Sequence, residues 1–327
     1  MPDLPAHEAT VWTDGPRAAK LGEAIDLMGA AVRVIAVGGP RISEVDQLAR
    51  RFDCAREDDL RKMLIEHPAA FVLLGTLDEA TPADLATAVE QGSMMLAIEP
   101  AAAHADEIDT LTSGDAATPA LVVAAPAFLA SPGWTRAADP REALGQPRTL
   151  QFDSCGRPDE QSLFARLFDA WLTVLHFVGM PQSVDAALVG PVTDVPKDPR
   201  GLTGSLSAHA RLGDGAAAYI HVSDRASVSR RRLHTLSDAA DLLVRDSDYQ
   251  LHDAAGQLID EHRPKLARTG FADLIAAQWQ RLLDRRDAQA PDPAGLDPEA
   301  LACCHACLLS ARTGTPEDPA KILQMHR

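Results

Sequence analysis

Apolar positions in the first 125 residues recur as short runs separated by amphipathic stretches. Ala9–Thr13, Ala31–Val37, Ala70–Leu74, Met94–Ile98 and Ala120–Ala125 have the length of buried strands. Between them, helical spacing covers Arg17–Met28, Glu44–Phe52, Glu57–Glu66, Thr81 or Pro82 to Gln91, and His104–Leu111. The breaks carry their own chemistry. Pro16 suits a first helical turn, where its missing N–H has no intrahelical partner. Gly29 closes that helix, Gly38-Gly39-Pro40 ends the second strand, and Ser43 is a candidate N-cap for the next helix. Alternating strand and helix with short breaks predicts a doubly wound parallel α/β sheet.

The pattern changes after Pro126. Residues 126–147 are rich in Pro, Gly and Ala and read as a linker dividing a domain over 1–126 from one over 127–327. Beyond it, Leu150–Asp153 and Val184–Val189 read as strands, Leu163–Val178 as a long apolar helix, and Pro191–Gly204 as a loop. Gly213-Asp214-Gly215 joins the alternating strands Ser205–Leu212 and Ala216–Ser223, a strong hairpin signal. Short strands continue to Ile259, and helices Phe271–Leu283 and Pro298–Arg312 follow. This half reads as an α+β domain with an open antiparallel sheet.

Composition narrows the functional classes. A net charge of −16 argues against nucleic acid and anionic membrane as partners, since both require a basic face. No apolar run reaches spanning length, and five cysteines in 327 residues are no disulfide framework, so a reducing cytoplasm is expected. Cys303-Cys304-His305-Ala306-Cys307 has the residue types of a metal cluster. On a helix, however, Cys303 and Cys307 share one face while Cys304 and His305 point elsewhere, and no second cluster has zinc spacing. Small residues packed under a sheet, with no metal, are expected there. Arg230-Arg231-Arg232 reads as a solvated strand end or an oligomer salt bridge.

The element order resembles the glucose–fructose oxidoreductase / inositol dehydrogenase (Gfo/Idh/MocA) family. So do the segments AVEQGSMMLAIEPAA, HFVGMPQSVDA, RLGDGAAAYIHVS and CLLSARTGTPEDP. The resemblance implies a Rossmann-like domain binding NADP or NAD, hydride transfer on a sugar or cyclitol, and homo-oligomers packed through the antiparallel sheet. The family's Gly-x-Gly-x-x-Gly/Ala turn falls on Thr13-Asp14-Gly15-Pro16-Arg17-Ala18. Gly15 is retained, Thr13 replaces the first glycine, and Asp14 adds a carboxylate. The acidic position for the ribose falls on Gly39. Arg41, two residues on, suits a 2′-phosphate and points to NADP over NAD. The Thr-Pro loop falls on Thr76-Leu77, the Glu-Lys-Pro motif on Ile98-Glu99-Pro100, and the family's catalytic histidine on Asp169.

Glu99 therefore stands at the lysine position, beside Pro100. A lysine there stabilises negative charge developing on a carbinol oxygen, whereas a carboxylate repels it. At about 4 Å and an effective dielectric near 20, one charge pair is worth roughly 4 kcal/mol, so reversing the sign costs up to about 8. Of Lys20, Lys62, Lys197, Lys265 and Lys321, only Lys197 lies in a loop placed to compensate. Two other readings stay open. Glu99 and Asp169 form an acid/base pair, with His176 on the same helix face as Asp169; or the protein is a redox-inactive ligand-binding or assembly subunit. His176 in an apolar helix also reads as a core histidine with a hydrogen-bond partner.

Overall fold

Six short strands rich in Val, Leu, Ala and Met make the first sheet: β1 (His7–Trp12), β2 (Val32–Gly38), β3 (Ala55–Glu57), β4 (Phe71–Leu74), β5 (Met94–Ala97) and β6 (Val122–Ala124). The computed structural model describes residues 6–107, 122–190, 196–264, 269–286 and 297–326. All pairings in this sheet are parallel, in the order β3-β2-β1-β4-β5-β6. The order reverses between β1 and β4, which is where ligands bind in open α/β sheets. Such strands are buried on both sides, which is why they read as continuous apolar runs. One face packs Trp12, Val72, Leu74 and Met95 against α3 (Leu60–Glu66) and α4 (Pro82–Glu90). A second layer contains α1 (Gly15–Met28), which packs against α2 (Ile42–Phe52) and α8 (Phe271–Arg286).

Contacts divide the chain into two units. The first comprises Met1–Ala101, Asp115–Pro126 and Phe271–Leu296; the second comprises Ala102–Gly114, Ala127–Gly270 and Asp297–Arg327. The late helix α8 thus belongs with the parallel sheet, and its Gln278 amide donates to the Ala124 carbonyl at 2.8 Å. The expected linker over 126–147 is instead folded. It contains a 3-10 turn at Phe128–Ala130 and two short helices, α5 (Pro132–Arg136), capped by Ser131, and α6 (Ala138–Leu144).

Eight strands form the sheet of the second unit: β7 (Pro147–Cys155), β8 (Ser183–Val189), β9 (Ser205–Arg211), β10 (Ala217–Ser223), β11 (Arg230–Ser237), β12 (Ala240–Arg245), β13 (Tyr249–Asp253) and β14 (Leu258–His262). Their order is β14-β13-β12-β11-β7-β10-β9-β8. Pairing is antiparallel except between β7 and β10, which run parallel, so the expected antiparallel sheet is mixed at its centre. Asp214 adopts φ 56° in the β9–β10 turn, the left-handed conformation that Asp tolerates between glycines. Helix α7 (Leu163–Val178) is apolar on nearly all sides and almost wholly buried, beside α9 (Pro298–Thr313); α10 (Pro319–Met325) follows α9.

Several local expectations are corrected. Ser43 lies inside α2, which starts at Ile42 after an extended Arg41 that makes no side-chain cap. The expected helix Glu57–Glu66 is split, because Ala55–Glu57 pairs with β2 and Asp59 caps a helix from Leu60. His104 to Asp106 form a turn and helix begins at Glu107, later than expected; residues 108–111 of that expected helix, with Ala120 and Leu121, lie outside the described residues. Part of the Pro191–Gly204 loop and Lys265 lie outside them also.

Candidate functional site

The crevice of the parallel sheet is set by how β1 ends. Thr13 is buried and its N–H donates to the Gly38 carbonyl at 2.9 Å, while Gly75 N–H donates to the Trp12 carbonyl at 2.7 Å. Three strand ends are thereby drawn together with no room for side chains. A Cβ on Gly39 would lie 2.1 Å from the Thr13 carbonyl oxygen, and one on Gly75 would lie 2.4 Å from Thr13 Oγ1. Gly39 is therefore glycine for packing. Thr76 is buried at the same end of β4, its hydroxyl accepting from Asp78 N–H at 3.1 Å.

The first turn of α1 points its N–H groups into this crevice. A helix leaves its first four N–H groups without intrahelical partners, and anions collect there. Here the chain itself fills three of these positions: Gly15 N–H donates to Glu44 Oε2 at 2.9 Å, Pro16 has no N–H, and Arg17 N–H donates to Asp14 Oδ1 at 3.0 Å, before Ala18 N–H opens the intrahelical ladder on the Asp14 carbonyl at 3.0 Å. Glu44 also pairs with the exposed Arg41 at 3.1 Å. Two of the chain's own carboxylates thus occupy the place of an anion.

Glu99 follows β5 and is buried, only 3% exposed. Its Oε1 accepts from Arg17 Nη2 at 2.5 Å, and Arg17 Nη1 reaches Asp14 Oδ2 at 3.4 Å. The cation beside Glu99 is an arginine and none of the lysines: it is Arg17, 82 residues upstream, on the first turn of α1. Parallel order places the ends of β1 and β5 on one side of the sheet, with β4 between them. Arg17 is already part of the glycine turn in sequence, but nothing in its spacing identifies Glu99 as its partner. Glu44, which the sequence reading does not select, is the further residue at this site. Its only local signal is its place in the first turn after β2.

Asp169 and His176 belong to the second unit and lie two helical turns apart on α7. Asp169 is buried; its Oδ1 accepts from Phe128 N–H at 2.8 Å and its Oδ2 from Arg231 at 3.0 Å. Arg231 also donates through Nε to Asp246 at 2.8 Å. These carboxylates hold Arg231 protonated, above its ordinary range, against burial. Burial pushes the Asp169 carboxyl up, opposed by Arg231 and the Phe128 amide. The Arg230–Arg232 run is accordingly corrected: strand alternation turns its middle member inward, while Arg232 pairs with Asp153 at 2.8 Å on the exposed side. His176 is exposed to solvent, not the core histidine also expected; its ring meets Trp134 edge-on at 5.5 Å, and the desolvation from that packing pushes its pKa down.

Cys303, Cys304 and Cys307 are buried in α9, and Trp171 Nε1–H donates to Cys307 Sγ at 3.3 Å. Burial pushes the Cys307 thiol up to about 12. A cluster with metal-ligand geometry among the described residues is Glu57, Glu66 and His67. The Lys62 ammonium already pairs with Glu57 at 2.8 Å there.

No protein-family model matches the chain, and no curated protein sequence does. Solved structures do. An oxidoreductase from Agrobacterium radiobacter, in complex with NAD+, L-tartaric acid and magnesium, matches with a TM-score of 0.72 at 12% identity, covering 97% of this chain and 99% of that one. Levoglucosan dehydrogenase with NADH and levoglucosan matches at 0.69 and 14% identity, over 96% and 99%. A myo-inositol dehydrogenase from Corynebacterium glutamicum matches at 0.69 and 14%, over 96% and 98%. The chain therefore has the fold of these oxidoreductases over nearly its whole length. No helix among the described residues is long and apolar enough to cross a membrane.

Proposed function

We propose that the protein is a divergent oxidoreductase of the Gfo/Idh/MocA type, dependent on NADP or NAD and acting on a sugar or cyclitol. The observation that carries this reading is the Arg17–Glu99 pair at the strand-order reversal, beside the glycine turn. On the family resemblance, this pair of a cation and a carboxylate stands in for the family's single lysine. Unlike a bare carboxylate, Glu99 is offset by Arg17, a cation that Asp14 shares, which removes part of the charge reversal expected from Glu99 alone.

Whether the turn fits a dinucleotide depends on Glu44. Gly15 leaves the backbone open to a phosphate only after Glu44 turns outward, and Glu44 is a partly exposed side chain able to do so. Gly15 and Arg17 would then hold the phosphates, Arg41 would meet a 2′-phosphate, and Thr13, Gly39 and Thr76 would shape the floor. The dinucleotide supplies hydride acceptance. Glu99, held beside Arg17, would be the group that takes the proton of a substrate hydroxyl. Assembly through the second sheet is part of the proposal, supported by Tyr219 and Leu236, exposed on β10 and β11.

A specific observation also favours a redox-inactive ligand-binding or assembly role: every N–H in the first turn of α1 is already satisfied. Calorimetric titration with NADPH and NADH, followed by turnover on a panel of sugars and cyclitols, separates the two. Saturable binding, with turnover lost in Glu99→Gln, supports the enzyme. No binding at millimolar dinucleotide, to the wild type or to Glu44→Ala, supports the inactive subunit.

A further inference from the structure

The second unit holds a cavity of about 280 Å³ that owes nothing to the strand ends of the parallel sheet. Four chain segments form it. Helix α9 contributes His305, Leu309 and Arg312, which share one face at helical spacing; α10 contributes Ile322 and Met325 in the same way, and His326 follows at its C-cap. His104 enters from the turn after Ala103, and Lys197 from the loop before the 3-10 turn Pro199–Gly201. The wall is pinned by His305 Nε2, bonded to the Ala103 carbonyl at 2.9 Å.

Its chemistry is one-sided. The ionisable side chains among its described lining residues are three histidines, one lysine and one arginine; none is a carboxylate. This occurs in a chain with 47 acidic residues against 31 lysines and arginines. Lys197 and Arg312 are exposed at the cavity, and neither has an ion-pair partner among the described residues. Burial pushes His305 below the usual imidazole range, and Lys197 and Arg312 are the fixed cations of the site. Behind them the surface is aliphatic. Concave sites with an apolar body and a few convergent polar groups bind small molecules, typically in ~300–1,000 Å³.

We propose that this cavity binds a small amphiphilic organic anion: its carboxylate, sulfonate or phosphate head against Lys197 and Arg312, its apolar body on α9 and α10. All the lining residues belong to the second unit, and none is a residue of the Arg17–Glu99 site. The test is calorimetric titration of the full-length protein with octanoate, and with 1-octanol as the uncharged counterpart. One-to-one saturation by octanoate is expected, at least tenfold tighter than octanol. The double variant K197A/R312A, whose side chains are exposed and whose folding is checked by its melting profile, is expected to weaken octanoate tenfold or more and leave octanol unchanged. Absence of saturable octanoate binding at millimolar concentration overturns the proposal. So does equal affinity for octanol, or octanoate affinity unchanged in a folded K197A/R312A.

Discussion

Removing the Glu44 carboxylate is expected to open the first turn of α1 to phosphate. In the wild type, Gly15 N–H donates to Glu44 Oε2 at 2.9 Å, and Glu44 Oε1 lies 3.1 Å from the exposed Arg41. A phosphate that takes the same N–H must first break the hydrogen bond to a charged acceptor, which is worth about 1.5–3 kcal/mol. The exposed Arg41 pair adds about 0–1 kcal/mol. Glu44→Ala removes this competition and frees Arg41. Dinucleotide affinity should rise by about 2–3 kcal/mol, or roughly 30- to 150-fold at 1.4 kcal/mol per decade. Glu44→Gln keeps an acceptor on Gly15 but drops the charge, so its gain should be smaller. Isothermal titration of NADPH and NADH into the three proteins measures this directly. If Glu44→Ala binds less than twofold tighter than wild type, Glu44 is not the obstacle. If Glu44→Gln equals Glu44→Ala, charge alone governs the site and the hydrogen bond does not.

The remaining predictions concern the rest of the ion-pair and thiol inventory. Arg231→Met strands Asp169 in the interior and should cost about 3–5 kcal/mol in urea unfolding at pH 7. A carboxyl raised in the folded state contributes stability at low pH that is lost as pH rises through the folded value. The variant's deficit should therefore shrink between pH 7 and pH 5, and a deficit constant with pH would rule out an uncompensated Asp169. Glu57 behaves oppositely: Lys62 first, then His67, hold its pKa down, so its stabilisation is lost as pH falls through that lowered value. Lys62→Ala should move the acid-unfolding midpoint upward in pH; no movement would show the pair to be silent. With Cys303, Cys304 and Cys307 buried and raised, and half-buried Cys54 pushed to about 11, native protein should expose at most one thiol to an aromatic disulfide reagent, against five after unfolding. Fast reaction of two or more would contradict the packing of α9.

Local pattern made much of the fold legible. Leu163–Val178 is a helix with the predicted limits, ended by Gly179 at φ 71°. Thr81 caps α4 through a reciprocal pair with Asp84, and Gly213–Gly215 makes the β9–β10 turn. Each of these is decided within a few residues by backbone sterics or a short-range hydrogen bond. Signals failed where a longer contact competed. Ala55–Glu57 is a strand because β2 offers it an edge, and the Pro-rich stretch after Pro126 is helical because Ser131 caps a short turn whose aromatic residues pack. The candidate site was legible as positions, from Thr13 to Arg17 and at Glu99, but not as partnerships.

By itself, the sequence determined the alternation of elements, the place of the glycine turn, the carboxylate at position 99, and the apolar faces that bury both sheets. These depend on periodicity and on the conformational limits of single residues. Only the tertiary structure decided which charges meet. Arg17 finds Glu99 across 82 residues, Gly15 finds Glu44 across 29, and Asp169 finds Arg231 across 62. Strand order and strand alternation brought these groups together. A charge in sequence carries no record of its partner until the sheet places one within a few ångströms.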